Sequence, residues 1–281
     1  VRLAPGASLL LAVAPLGGCD AETSPAATVE VRFEAVVGAS GFSCNSNYAG
    51  LGLAGDALTF NDFRLYVSAA ALQAPEGTWT PVAFVGEAPW QSPTVALLDF
   101  EDATGGCANG TPETRATLVL EDPGHPVTGL RLTVGVPEAL NHQDASIAPP
   151  PLDLTGLFWG WNAGYKFLRL DGTVGDATAF NFHLGSVGCT RGADASVTCA
   201  RPNRPVLELA PFDPASSLIR LDVASLLAES ELATDAGGAP GCMSSPDDPE
   251  CGPLFEALGL DLADPGGIGA PQRFATVAPR N

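Results

Sequence analysis

Val29-Glu30-Val31-Arg32-Phe33-Glu34-Ala35 alternates apolar and charged residues without a break. Successive side chains of a strand point to opposite faces, so this period of two describes a strand with one buried face. Phe63-Arg64-Leu65-Tyr66-Val67-Ser68 repeats the pattern. In 127–136, Leu130, Leu132, Val134 and Val136 share one face. Further strands are expected over 79–85, 94–100, 115–120, 157–170, 179–184, 205–212 and 217–222. The 32 Gly and 25 Pro residues break the chain every few positions, as turns between short strands do. The expected fold is all-β, an antiparallel β-sandwich or barrel-like domain with a few short helices. One helix is expected after Asp222, as its cap, through Leu232. A second runs over Pro253-Leu254-Phe255-Glu256-Ala257-Leu258, with Pro in its first turn and Gly259 after its end.

The ends of the chain read differently. Arg2, the apolar run Leu9-Leu10-Leu11-Ala12-Val13-Ala14 and then Leu16-Gly17-Gly18-Cys19 have the form of an export signal. The apolar run is too short to span a bilayer as a helix. Its ending resembles a bacterial lipobox, in which Cys19 becomes the lipidated first residue. The expected organisation is a lipoprotein signal peptide over 1–18, a tether over 19–27, one domain over 28–262 and a poorly ordered tail over 263–281. This places the protein in the periplasm or cell envelope, held to the membrane by a lipid anchor.

Thirty-two acidic residues face 13 basic ones, a formal charge of −19. Such a surface repels a phosphate backbone, so nucleic-acid binding is not expected. Setting Cys19 aside leaves six cysteines: Cys44, Cys107, Cys189, Cys199, Cys242 and Cys251. An even number in an exported chain reads as disulfides. Six cysteines allow fifteen connectivities. Short loop closure favours Cys189–Cys199 and Cys242–Cys251, which leaves Cys44–Cys107. No Cys-x-x-Cys spacing occurs, which argues against a cysteine zinc site.

Candidate chemistry is densest in the run from Trp159 to Cys189, which holds two of the four tryptophans, the only lysine and one of the three histidines. His125 lies in a turn, Glu121-Asp122-Pro123-Gly124-His125-Pro126, and reads as solvated. His142 follows a strand, in Asn141-His142-Gln143-Asp144. His183, in Phe180-Asn181-Phe182-His183-Leu184, points away from the apolar face of its strand. Trp159 and Trp161 are two apart on an expected strand and would share a face. With Tyr165 and Phe167 they form an aromatic stripe suited to core packing or to stacking on a glycan. Asp247-Asp248-Pro249-Glu250 lacks the alternation of an EF-hand loop and reads as a solvated turn. Met243 reads as structural. No Gly-x-Ser-x-Gly elbow and no phosphate-binding loop occurs, and no enzymatic activity is expected.

Read in order, Gly135-Val136-Pro137, Asn141-His142, Pro151-Leu152, Phe158-Trp159-Gly160-Trp161 and Gly164-Tyr165-Lys166-Phe167 form the first half of a larger pattern. Phe182-His183-Leu184-Gly185-Ser186, Cys189, Cys199, Gly241-Cys242-Met243-Ser244, Cys251 and Leu254-Phe255-Glu256-Ala257-Leu258-Gly259 complete it. The set resembles the MbnP family of periplasmic copper-binding proteins. The resemblance implies a copper site made of histidines and a tryptophan oxidised to kynurenine by a partner di-haem enzyme of the cytochrome c peroxidase/MauG type. Kynurenine offers an aryl amine that indole cannot. On this resemblance His142 and His183 would be the metal ligands, and Trp159 or Trp161 the oxidised residue. The chain carries no Cys-x-x-Cys-His haem motif, so the oxidant would be another protein. A structural or glycan-binding lipoprotein without metal is the other reading.

Overall fold

A computed structural model describes residues 1–2 and 27–280, apart from 87, 109, 195 and 265–268. The expected signal segment past Arg2, Cys19 and nearly all of the tether lie outside the described residues.

The strand Asp56–Gln73 organises the larger sheet. At 18 residues it exceeds the usual strand length, and it stays paired by dividing its two edges among five partners. Leu168–Val174 and Gly129–Val134 share one edge. Asn47–Leu51, Ala96–Asp99 and Trp79–Val82 take the other. Thr178–Leu184 extends the sheet beyond Leu168–Val174, and Val206–Leu209 extends it beyond Gly129–Val134. Register shifts at Val67/Ala69 and at Asp171/Gly172 mark bulges, which bend and twist a sheet.

The second sheet is built on Thr28–Val37. Its alternation is realised in the fold: Val31 and Phe33 are buried while Glu30 and Arg32 face solvent. Each such buried side chain contributes roughly 1.5–3 kcal/mol. Thr117–Glu121 pairs with it antiparallel, but Ser217–Asp222 pairs with it parallel. Gly241–Cys242 is likewise parallel to Thr178–Leu184. The architecture is thus all-β and barrel-like, with two parallel pairings that local strand patterns do not reveal. One apolar core fills the space between the sheets, where Phe63 meets Phe100 and Phe274.

Asp222 caps Val223–Leu227, accepting from the Ala224 amide at 3.0 Å. That helix stops well before Leu232; past its end the Ser230 amide donates to the Leu227 carbonyl and the Ser230 carbonyl accepts from the Leu53 amide. The second expected helix spans Cys251–Ala257 and ends before Gly259, whose φ of +76° suits glycine. A third, short helix over Glu138–Asn141 lies between the strand Gly129–Val134 and His142. The expected tail is corrected: Phe274 is fully buried and Ala275–Pro279 pairs antiparallel with Ser217–Asp222. A buried aromatic and five ladder partners outweigh the Pro and Gly that precede them.

All six domain cysteines pair as loop closure favours: Cys44–Cys107, Cys189–Cys199 and Cys242–Cys251.

Candidate metal centre

The expected strand 157–170 is broken in three. Phe158–Gly160 pairs antiparallel with Gly164–Tyr165, and Leu168–Val174 runs on from there. Gly160 and Gly164, with φ of +147° and +78°, allow the reversal. Trp159 therefore stays on a strand, whereas Trp161 sits on the turn and is 53% exposed. The two tryptophans do not share one strand face. Each keeps company with a different histidine.

His183 is 8% exposed and lies across the sheet from Arg169, which lies across from Arg64. Alternation within these strands puts Asp62, Arg64, Arg169, Asp171 and His183 on one face, opposite Phe63, Leu65, Leu170 and Phe182. Arg64 Nε donates to Asp62 at 2.8 Å, and Arg64 approaches Glu101 at 3.7 Å. Arg169 reaches Asp62 at 3.0 Å and donates from Nε to Asp171 at 2.7 Å. His183 Nε2 is 2.6 Å from Asp171 Oδ1. Burial alone would raise the Asp171 carboxyl. The His183 hydrogen bond and the charges of His183 and Arg169 prevail and hold it below the usual carboxylate range. An ionised carboxylate only accepts, so His183 Nε2 carries the proton. In the neutral imidazole the lone pair is then on Nδ1, which is buried and has no hydrogen-bond partner.

The Trp159 ring centroid lies 6.0 Å from that of His183. Its seat depends on Gly185. A Cβ there would come within 2.5 Å of the Trp159 ring and 2.9 Å of the Tyr165 carbonyl. Lys166 Nζ stands 6.0 Å from the Trp159 ring and donates to the Gly156 carbonyl. Burial, with Arg169 nearby, lowers the Lys166 pKa.

His142 caps the C-terminus of Glu138–Asn141. Its Nδ1 is 2.7 Å from the Trp161 carbonyl and must donate to it, which frees the Nε2 lone pair. Nε2 lies 3.3 Å from Cys199 Sγ and 3.3 Å from Asn141 Nδ2. Asn141 is buried and accepts from the Tyr165 amide. The Arg191 guanidinium lies 5.5 Å from the Trp161 ring. A cavity of about 500 Å³ beside them is lined by Glu138, His142, Trp161, Arg191 and Thr198, among others.

Thus His183 pairs with Trp159, and His142 with Trp161. Among the described residues, no group of three donors within 4.8 Å of one another contains both histidines. Both imidazoles have one nitrogen tied to an oxygen and the other bearing a lone pair, the arrangement of a metal-ligating histidine. His125 belongs to neither pair: its Nδ1 is at the Pro126 carbonyl and its Nε2 at Thr80 Oγ1. The acidic loop is closed on itself, since Asp248 accepts from the Met243 and Glu250 amides. Sequence reasoning missed Asp171. Its signal is present as Arg169-x-Asp171 and Asp62-x-Arg64, charges on the non-core face of paired strands.

A comparison with curated proteins finds none that matches. Among solved structures, MbnP from Methylosinus trichosporium is similar, at 33% identity and a TM-score of 0.80, covering 92% of this chain and 100% of that one. The MbnP family model matches residues 26–244. On both grounds, and with the ordered motifs in place along the sheet, the chain belongs to the MbnP family.

Proposed function

We propose that this chain is an exported, lipid-anchored copper-binding protein and not an enzyme. In this reading, copper is held by His183 Nδ1 together with the aryl amine of a kynurenine formed from Trp159. The single observation that carries it is the buried His183 Nδ1 without a partner. An unpaired buried acceptor costs roughly 1–3 kcal/mol, and a metal ion would satisfy it. Neutral imidazole and aryl amine are nitrogen donors suited to copper. Copper, when bound, supplies the charge that this neutral donor set lacks. Asp171 holds the His183 ring in the ligating tautomer, and Gly185 leaves room for Trp159 beside it. Conversion of Trp159 needs an external oxidant, and a partner di-haem enzyme of the cytochrome c peroxidase/MauG type fills that role. Three disulfides agree with an oxidising compartment outside the cytoplasm. His142 was expected beside His183, but its Nε2 meets Cys199 and Asn141 instead. The His183–Trp159 pair is therefore the primary site.

The test is co-expression with a di-haem partner, followed by copper analysis and peptide mass mapping. Copper retained only after maturation, with kynurenine at Trp159, supports the reading. Unchanged copper in His183→Ala refutes it. The alternative glycan-binding reading draws on Trp161, exposed at the rim of the 500 Å³ cavity. Loss of glycan binding in Trp161→Ala would favour it.

A further inference from the structure

We propose a second, redox-gated metal site, independent of the His183–Trp159 reading. It is formed by His142, Cys189 and Cys199 once their disulfide is reduced, and it takes a thiophilic d¹⁰ cation, Cu⁺ or Zn²⁺.

The three disulfides differ in exposure. Cys44, Cys107, Cys242 and Cys251 are all buried, whereas Cys189 and Cys199 are half-exposed. Thiol–disulfide exchange needs access to a sulfur, so a reductant reaches Cys189–Cys199 first. The donors are already gathered. His142 Nε2 and the two Sγ atoms lie within 4.8 Å of one another, and Nε2 is 3.3 Å from Cys199 Sγ. Around one ion at ordinary Zn–S and Zn–N lengths, such donors stand about 3.5–3.8 Å apart. Breaking the S–S bond lets the sulfurs separate to that spacing without moving the backbone.

The backbone is held independently of the disulfide. Cys189 and Cys199 face each other on the hairpin of Val187–Arg191 and Val197–Arg201. That hairpin is tied to the domain by Cys199 N donating to Glu138 at 3.0 Å and Arg201 donating to the Leu262 carbonyl at 2.6 Å. The cross-strand register does the work that a Cys-x-x-Cys spacing does elsewhere. His142 is set to ligate, because the Trp161 carbonyl holds the proton on Nδ1 and leaves the lone pair on Nε2, which Asn141 Nδ2 approaches at 3.3 Å. Two thiolates and an imidazole are donors for Zn²⁺ and for Cu⁺. The other cysteine group, Cys242, Cys251 and Asp248, is buried, and Asp248 is committed to backbone amides.

The chemistry balances with a dithiol as reductant. The dithiol gives two electrons and two protons, becomes a disulfide, and leaves two cysteine thiols here. Metal binding displaces both protons to solvent. Reoxidation by a disulfide, which takes two electrons from the metal-bound thiolates and is itself reduced to two thiolates, restores Cys189–Cys199 and expels the ion.

The experiment uses the full chain without its partner enzyme. Mild phosphine reduction followed by alkylation and mass mapping should label Cys189 and Cys199 and spare the four buried cysteines. The reduced, unalkylated chain is then titrated with Zn²⁺ and, separately, with Cu⁺ against a chromogenic chelator. One equivalent bound by the reduced chain and released on oxidation supports the site, and the cation that binds identifies its class. Cys189→Ser/Cys199→Ser should abolish this binding. His142→Ala should weaken it at least tenfold, since even outer-shell partners are worth about 10–100-fold. His183→Ala should leave it unchanged, which separates this site from the one proposed above. Equal binding by oxidised and reduced wild-type chain overturns the proposal, and that comparison needs no variant to fold. So do labelling of the buried cysteines in parallel and undiminished binding by His142→Ala.

Discussion

His183 donates to Asp171 across 2.6 Å, and Asp171 is the last carboxylate of a buried charge row that runs back through Arg169, Asp62 and Arg64 to Glu101. The row is internally paired, so its charges are tolerated on a largely buried sheet face where only Arg169 is partly exposed. Its consequence is a histidine whose tautomer is decided by the fold.

Asp171→Asn should therefore act through His183. Without an obligate acceptor at Nε2, the ring no longer keeps its proton there. Copper affinity of the matured protein should fall about 10–100-fold, the usual cost of losing such a partner. Competition titration against a copper chelator checks this. An affinity equal to wild type, with only a lower Tm, would assign Asp171 a purely structural role.

Trp159→Phe should eliminate the kynurenine mass signature and copper retention, while Trp161→Phe should preserve both. Trp159 lies against His183, whereas Trp161 points to the Arg191 side of the domain. Gly185→Ala should depress the signature as well, because its Cβ would displace the Trp159 ring. Peptide mass spectrometry after co-maturation reads all three.

Asp99 gives stability a pH dependence of its own. Burial, offset in part by Arg64 and reinforced by Glu101, pushes its carboxyl up to about 8. A carboxyl raised in the folded state binds its proton more tightly there than when unfolded. Its contribution is full below the unfolded value near 4 and is lost as pH rises through about 8. Chemical denaturation should show stability falling across that window, by at most about 1.4 kcal/mol per pH unit. Asp99→Asn should flatten the slope. A slope unchanged in Asp99→Asn would remove Asp99 as its source.

Disulfide removal should cost unequally. Cys44–Cys107 closes a separation of 63 residues and Cys189–Cys199 one of 10. Loop-closure entropy then predicts about 4 kcal/mol for the first and about 2.5 kcal/mol for the second. Paired Cys→Ser variants in a urea melt measure the difference. A costlier loss at the hairpin would mean that its bridge also holds the domain in place.

The strands were legible where one face is buried and the other wet, as in Val29–Ala35. Alternation there reports burial directly. It was less informative over 157–170, where an apolar and aromatic run hides a hairpin. Only Gly160 and Gly164 mark that turn, and glycine is common in this chain. The tail hides its strand for a related reason. Phe274 and Ala275–Pro279 form too short a segment to signal a strand until Ser217–Asp222 lies beside it.

By itself, the sequence determined the all-β class and the family pattern, favoured one pairing of the six cysteines without fixing it, and offered a short set of candidate ligands. These depend on local periodicity, loop length and side-chain chemistry, which a linear chain displays. Tertiary structure alone decided which histidine stands beside which tryptophan. It also decided that Asp171 orients His183 and that His142 meets the half-exposed disulfide. Those relations arise from strand register between segments far apart in the chain, where a shift of one residue would move every side chain to the opposite face.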